Sequence, residues 1–455
     1  MNKPEARLPM KKKLLILSLA LTAVPAEFAF AADLLQVYRD AIEYDAQYAS
    51  ARASRDAGQE KLPQGRAGLL PVISASASTT WNDVDFARRT AGAPGVDAQY
   101  NTNGYQLTLT QPIFRWQNFV QYDQSKLQVV LAEAQFAQAK QDLILRVSQA
   151  YFDVLLAQDS LSLAQAQKKA IGEQLEAARR NFEVGTSTIV DTHEAQARFD
   201  LVTAQEIAAQ NDLEIRRQAL YQVIGKVPEK LSALRPQVQL QRPQPDDMTK
   251  WVEAAEAGSP LIAVQQAAFE IAEKEIGRQR AGHYPTLDLV ATRGRSSATG
   301  GLALGVPAPG SDTHTSTIGL QLSVPLFAGG AVMSKDREAV ALREKARADL
   351  DNTRRGAALG ARQAYLGVTS GMAQMKAFEQ ALVSNQAALD SNLLGYEVGV
   401  RINIDVLNAQ QQLYATRRDL AKSRYDTLIA QLRLKAAAGT LNEEDVQAIN
   451  ALLEK

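Results

Sequence analysis

Side chains that could serve as nucleophiles, metal ligands or proton carriers are few and dispersed in these 455 residues. Cysteine is absent, which removes thiolate metal sites, disulfides and a cysteine-borne lipid together. His193, His283 and His314 stand far apart, and none has the His-Glu-x-x-His spacing that would set two imidazoles on one helix face around a metal. Gly300, Gly301, Gly305 and Gly310 form a glycine-rich stretch without the Gly-Lys-Ser/Thr that cradles a phosphate, so it reads as an external loop. No catalytic set, cofactor or metal is implied. The charged residues with some positional logic are Arg401, two residues past Gly399, and Asp191, beyond Gly185 at the equivalent tip of the first copy. By themselves they could simply solvate a loop, since exposed ion pairs contribute at most about 1 kcal/mol.

Composition narrows the class further. Fifty basic residues against fifty acidic ones create no field for nucleic acid. A hydrophobic content of 46% is too high for a disordered chain. At the N-terminus, Lys11, Lys12 and Lys13 precede an apolar run from Leu14 to Val24, and Ala29-Phe30-Ala31 offers a small-x-small cleavage site. This is the pattern of an export leader over residues 1–31, cut before Ala32. The run is too short for a membrane anchor, which needs about 20 apolar residues.

Internal repetition is the strongest organising signal. Arg66-Ala67-Gly68 returns as Arg280-Ala281-Gly282, Gln149-Ala150-Tyr151 as Gln363-Ala364-Tyr365, Glu183-Val184-Gly185 as Glu397-Val398-Gly399 and Asp191 as Asp405, each 214 residues on. The chain is a tandem duplication: residues 32–225, a proline-bearing linker at 226–250, a second copy at 251–439, and a tail at 440–455. Each copy opens with a helical stretch, at about 34–62 and 250–281, followed by two strand-like segments. These fall at about 72–81 and 104–111, then at 286–293 and 317–324. A proline-free stretch follows, 113–227 in one copy and 326–455 in the other. Since proline in a helix interior costs about 3 kcal/mol, such stretches suit long helices.

Leu143, Val147, Ala150, Val154, Ala157, Leu161 and Ala164 alternate four-three spacing, the seam of a coiled coil. Their counterparts Ala357, Ala361, Ala364, Val368, Gly371, Met375 and Phe378 are mostly small, which permits close helix approach. Gly185 and Gly399 end the rods, and helices returning toward Gly225 and Gly439 complete hairpins over 116–225 and 330–438. The strands alternate at period two: Ile73, Ala75, Ala77, Thr79 and Trp81 oppose Ser74, Ser76, Ser78 and Thr80, and Ile318, Leu320 and Leu322 oppose Gly319, Gln321 and Ser323. This pattern fits a soluble sheet packed on helices or a membrane barrel with a wet lumen; export and duplication favour the barrel. Four strands cannot close one, so a barrel requires an oligomer.

The runs Arg280–Leu289, Val324–Gly330, Tyr396–Arg401 with Asp405-Val406-Leu407, and Gly439–Asp445 together resemble the TolC family over essentially the whole mature length. That resemblance implies an α+β membrane protein with two repeats, forming a homotrimeric twelve-stranded β-barrel continued by a periplasmic α-helical barrel. It also implies a C-terminal equatorial helix at 440–455. The expected role is an outer-membrane exit duct for efflux or type I secretion, set in outer-membrane lipid and docked to a periplasmic adaptor and an inner-membrane ABC or RND-type transporter. A periplasmic adaptor itself would instead show one hairpin between two halves of a β-rich domain. Matched by motif, Asp191, Tyr396 and Arg401 would form a periplasmic gate, with Asp191 pairing with Arg401. Val190 stands where the family places a hydroxyl-bearing partner for the tyrosine. Asp405 matches the first of two aspartates ringing the tunnel entrance, and the second falls on Asn408, which would halve that charge.

Overall fold

The structure, a computed structural model, describes residues 31–454 apart from 88–94, 227, 229, 237, 239 and 304–305. Up to residue 30, the expected leader lies outside the described residues. The first copy runs α1 (Leu34–Tyr44), α2 (Ala46–Gln59), α3 (Lys61–Ala67), β1 (Val72–Phe86), β2 (Val96–Phe114), α4 (Trp116–Glu183) and α5 (Ile189–Ile224). The second runs α6 (Met248–Gly258), α7 (Pro260–Arg280), β3 (Thr286–Ala303), β4 (Val306–Ser323), α8 (Ala331–Glu397) and α9 (Asn403–Ala437), followed by α10 (Glu443–Asn450).

Each opening stretch, expected as one helix, is broken. At Asp45 the backbone is extended and the carboxylate caps α2, its Oδ1 accepting from Tyr48 N at 2.6 Å and from Arg146 Nη2 at 2.8 Å, while Arg146 Nε donates to its Oδ2 at 3.3 Å. Ser259 is extended because Pro260 follows it, and the clash of the proline ring with the preceding residue disfavours helix there.

α4 has 68 residues and α8 has 67, so each rod is about 100 Å long at 1.5 Å per residue. Their seams are buried where the heptad spacing places them. Leu143, Val147, Val154 and Ala157 are in the interior, as are Ala361, Val368 and Met375 of the second copy, with the remaining seam positions half-buried. Around the middle of α4, Tyr151 and Phe152 join Leu34 and Ala41 of α1, Leu220 of α5, Leu428 and Leu432 of α9 and Val446 of α10 in one core. The linker is tied to this core: Tyr151 Oη donates to the Ser232 carbonyl at 2.8 Å, and Leu231 and Leu234 bridge to Ala32 and Leu453. Tyr425 donates to Asp159 at 2.8 Å, and burial raises the pKa of both groups.

β1-β2-β3-β4 form one antiparallel sheet in sequence order, with one hairpin from each copy joined through β2 and β3. The strands have 15, 19, 18 and 18 residues, longer than the expected 72–81, 104–111, 286–293 and 317–324. Away from the helices the hydrophobic alternation stops but the ladder continues, with side chains such as Asn82 (Nδ2 donating to Thr102 Oγ1, 3.1 Å) crossing between strands. Gly300 and Gly301 therefore lie in β3 and Gly310 in β4, not in a loop; Gly305 lies outside the described residues. At the corner between sheet and rods, Arg115 binds Asp288 through two parallel bonds of 2.7 and 2.6 Å, joining the start of α4 to β3 of the other copy.

Candidate functional site

The two hairpins end side by side, and the residues expected to matter lie at their tips. In the first tip Gly185 takes φ +77°, a left-handed conformation that glycine adopts without steric cost, and Thr186 N donates back to the Asn181 carbonyl at 2.8 Å. Thr188 then caps α5. Its hydroxyl accepts from Asp191 N, while Asp191 Oδ2 accepts from Thr188 N at 3.1 Å and Oγ1 at 3.0 Å. This reciprocal box satisfies donors that a helix start leaves unpaired. Asp191 Oδ1 has no hydrogen bond among the described residues.

The second tip repeats the glycine, Gly399 at φ +76°, but not the cap. Ile402 stands where Thr188 stands in the first copy and offers no side-chain oxygen. Asp405 is thus left available, and Arg401 Nη1 approaches its Oδ2 at 3.5 Å. The Arg401 backbone N–H donates to the Gly395 carbonyl at 2.9 Å, and its side chain lies across Gly395, where a Cβ would come within 2.7 Å of Arg401 Cγ. The Arg401 side chain is 57% exposed. Among the described residues, Arg401 and Asp191 of one chain form no ion pair.

What joins the tips is a set of amides that sequence reading missed. Asn403, the first residue of α9, is completely buried. Its Oδ1 accepts from Gln174 Nε2 of α4 at 2.6 Å, and its Nδ2 donates to the Asp191 carbonyl at 3.2 Å. Asn181 Nδ2 donates to Tyr396 Oη at 3.3 Å, so the tyrosine is held by the first hairpin through an asparagine. Arg198 of α5 reaches α9, donating from Nη1 to Gln411 Oε1 at 2.6 Å and from Nη2 to Asn408 Oδ1 at 2.9 Å. Asn408 therefore faces a guanidinium.

The sheet separates its faces cleanly. Residues opposite one another share a face, so Ile73, Leu109, Ala291 and Ile318 line one side while Ser74, Thr108, Thr292 and Thr317 line the other. The first side leaves Trp81 and Ile318 more than three-quarters exposed, an apolar surface too large for a soluble edge. The second is a row of hydroxyls suited to a wet lumen, as in Thr292 Oγ1 and Thr317 Oγ1, 2.6 Å apart. No helix of the described residues is long and apolar enough to cross a membrane.

Comparisons agree with this geometry. The model of a family described as outer membrane efflux protein matches residues 37–226 and again 251–440, two segments 214 residues apart. The alkaline protease secretion protein AprF of Pseudomonas aeruginosa is 35% identical over 93% of this chain and 88% of its own length. The outer membrane protein TolC of Vibrio cholerae is 32% identical over 98% of this chain and 99% of its own. Among solved structures, the CmeC outer membrane channel of Campylobacter jejuni superposes with a TM-score of 0.77 at 18% identity, covering 100% of this chain and 98% of that one.

Proposed function

This chain belongs to the outer membrane efflux protein family, and from that premise we propose how its own residues build and close the duct. It is an outer-membrane exit duct of the kind that serves efflux or type I secretion. The observation that carries the rest is the four-stranded sheet, apolar on one face and hydroxyl-lined on the other, rising from two rods of about 100 Å. Among the described residues β1 and β4 have unpaired outer edges, and an open edge is not viable in lipid. Three copies supply twelve strands, β4 of each pairing with β1 of the next, and the hairpins of three copies make a tunnel across the periplasm. An export leader over residues 1–31 delivers the chain to the envelope.

At the periplasmic end, Val184, Val190, Val398, Val400 and Ile402 are exposed. This aliphatic rim suits docking of a periplasmic adaptor, which in turn links an inner-membrane ABC or RND-type transporter. The rim is also the gate. Arg401, half-free beside Asp405, reaches Asp191 Oδ1 of the neighbouring subunit when the tips converge, and Tyr396 steadies the contact. Asp405 is presented three times around the entrance, and rings of carboxylates favour cations. The assembly is tested by the native mass of the purified protein in detergent: three chains are expected, and a folded, membrane-inserted single chain overturns the barrel.

A further inference from the structure

The apolar face of the sheet changes character along β3. Nearest the helices it pairs Leu287 with Leu322 and Leu289 with Leu320, Gln111 of β2 being the polar exception, and the hydrophobic part ends in the row of Leu109, Ala291 and Ile318. Two residues outward on β3, about 7 Å along the strand, the same face carries Arg293. Two further on it carries Arg295, with Tyr105 and His314 directly opposite on the flanking strands. All four side chains are exposed. A lipid-facing arginine is strongly destabilising at the bilayer midplane and nearly without cost at its interface, so this row marks the level of the headgroups. Tyr105 agrees, being an aromatic with an apolar ring and a polar tip, the type that forms interfacial girdles. The hairpin ends lie on the side away from the rods, which makes this the outer leaflet.

Only part of this positive charge is answered within the chain. Arg295 Nη2 donates to Asp312 at 3.1 Å, while Arg293 has no side-chain hydrogen bond among the described residues. Two guanidinium groups two residues apart on one strand project from the same face, and their planar donors match a phosphate. We propose that Arg293 and Arg295 form a site on the outer wall for the phosphate of an anionic lipid in the outer leaflet. The site rests on the barrel assignment above: the same face must meet lipid for the guanidinium groups to meet a headgroup.

The probe is diphosphoryl lipid A added to the full-length oligomer in neutral detergent, with bound lipid counted by native mass spectrometry. The wild-type oligomer retains this lipid in preference to its dephosphorylated form. The R293Q/R295Q variant binds it about thirtyfold more weakly, as expected for two basic residues at a membrane surface, and R293K/R295K recovers much of the affinity. Equal binding by wild type and R293Q/R295Q overturns the site, as does full competition by millimolar inorganic phosphate, which assigns the groups to a free anion. If R293Q/R295Q does not assemble, the wild-type comparison decides alone: equal retention of phosphorylated and dephosphorylated lipid A overturns the proposal. A chain that assembles and inserts yet shows no phosphate preference removes the site and leaves the barrel. One that does not insert removes both.

Discussion

The two hairpin tips descend from one ancestral turn and keep its glycine, yet one residue separates their behaviour: Thr188 opens the returning helix of the first, and Ile402 that of the second. With a hydroxyl in place, the first tip closes on itself, Thr188 and Asp191 exchanging bonds at the start of α5. Without one, the second tip is held by its neighbours. Asn403 is buried against Gln174 and the Asp191 carbonyl, Tyr396 against Asn181, and Arg198 against Asn408 and Gln411. A self-capped turn serves as a post; a turn held by side-chain bonds to another hairpin can be released by breaking them. If the duct closes at these tips as proposed, the difference assigns motion to the second hairpin and anchorage to the first.

The largest effect is expected from Asn403→Ala. It strands the Gln174 amide in a buried place, a loss of about 2 kcal/mol, and should speed hydrogen exchange in residues 396–412 while leaving 181–200 almost unchanged. Equal acceleration in both tips erases the distinction. Next come the caps. Thr188→Ala should cost the first tip about 1 kcal/mol, and Ile402→Thr should give the second a similar gain by drawing Asp405 into a box of its own. Denaturant unfolding of the two variants reads both signs, and an unstabilised Ile402→Thr means that α9 cannot accept the cap geometry of α5. The smallest effect concerns ion preference. Motif matching alone suggests that Asn408→Asp strengthens cation selectivity, but Arg198 lies 2.9 Å from that side chain and would neutralise the new carboxylate. Reversal potentials in a salt gradient should therefore move little in Asn408→Asp, shift toward cations in Arg198→Gln/Asn408→Asp, and weaken in Asp405→Asn. A full shift in Asn408→Asp alone means that Arg198 does not reach it in the assembled tunnel.

Much of the architecture was legible because it is periodic. The 214-residue register, the heptad seam from Leu143 to Ala164 and the alternation from Ile73 to Trp81 each repeat a physical constraint that leaves a trace in residue order. Strand length was not legible in that way. Beyond the apolar band nothing selects hydrophobic residues on one face, so Asn82, Asp83 and Asp312 pair in the ladder without announcing it. The break at Ser259-Pro260 and the box Thr188-x-x-Asp191 were visible signals that reading for long rods passed over. Gln174 with Asn403, and Arg198 with Asn408, are more than 200 residues apart in the chain. No local pattern joins them; only the packing of α4 and α5 against α9 does. Asn403 could have been suspected as an amide at the first position of a helix beside a turn, though its burial could not.

Single-channel conductance in a planar bilayer tests most directly the claim that the second tip closes this duct. Wild type should pass a small, steady current, and Arg401→Ser, with the mass of the oligomer unchanged, should pass a larger one because each subunit loses a charge-assisted contact at the closed end. Identical conductance in the two proteins would contradict the account, leaving Arg401 as surface charge beside Asp405 and the closure to some other part of the tunnel.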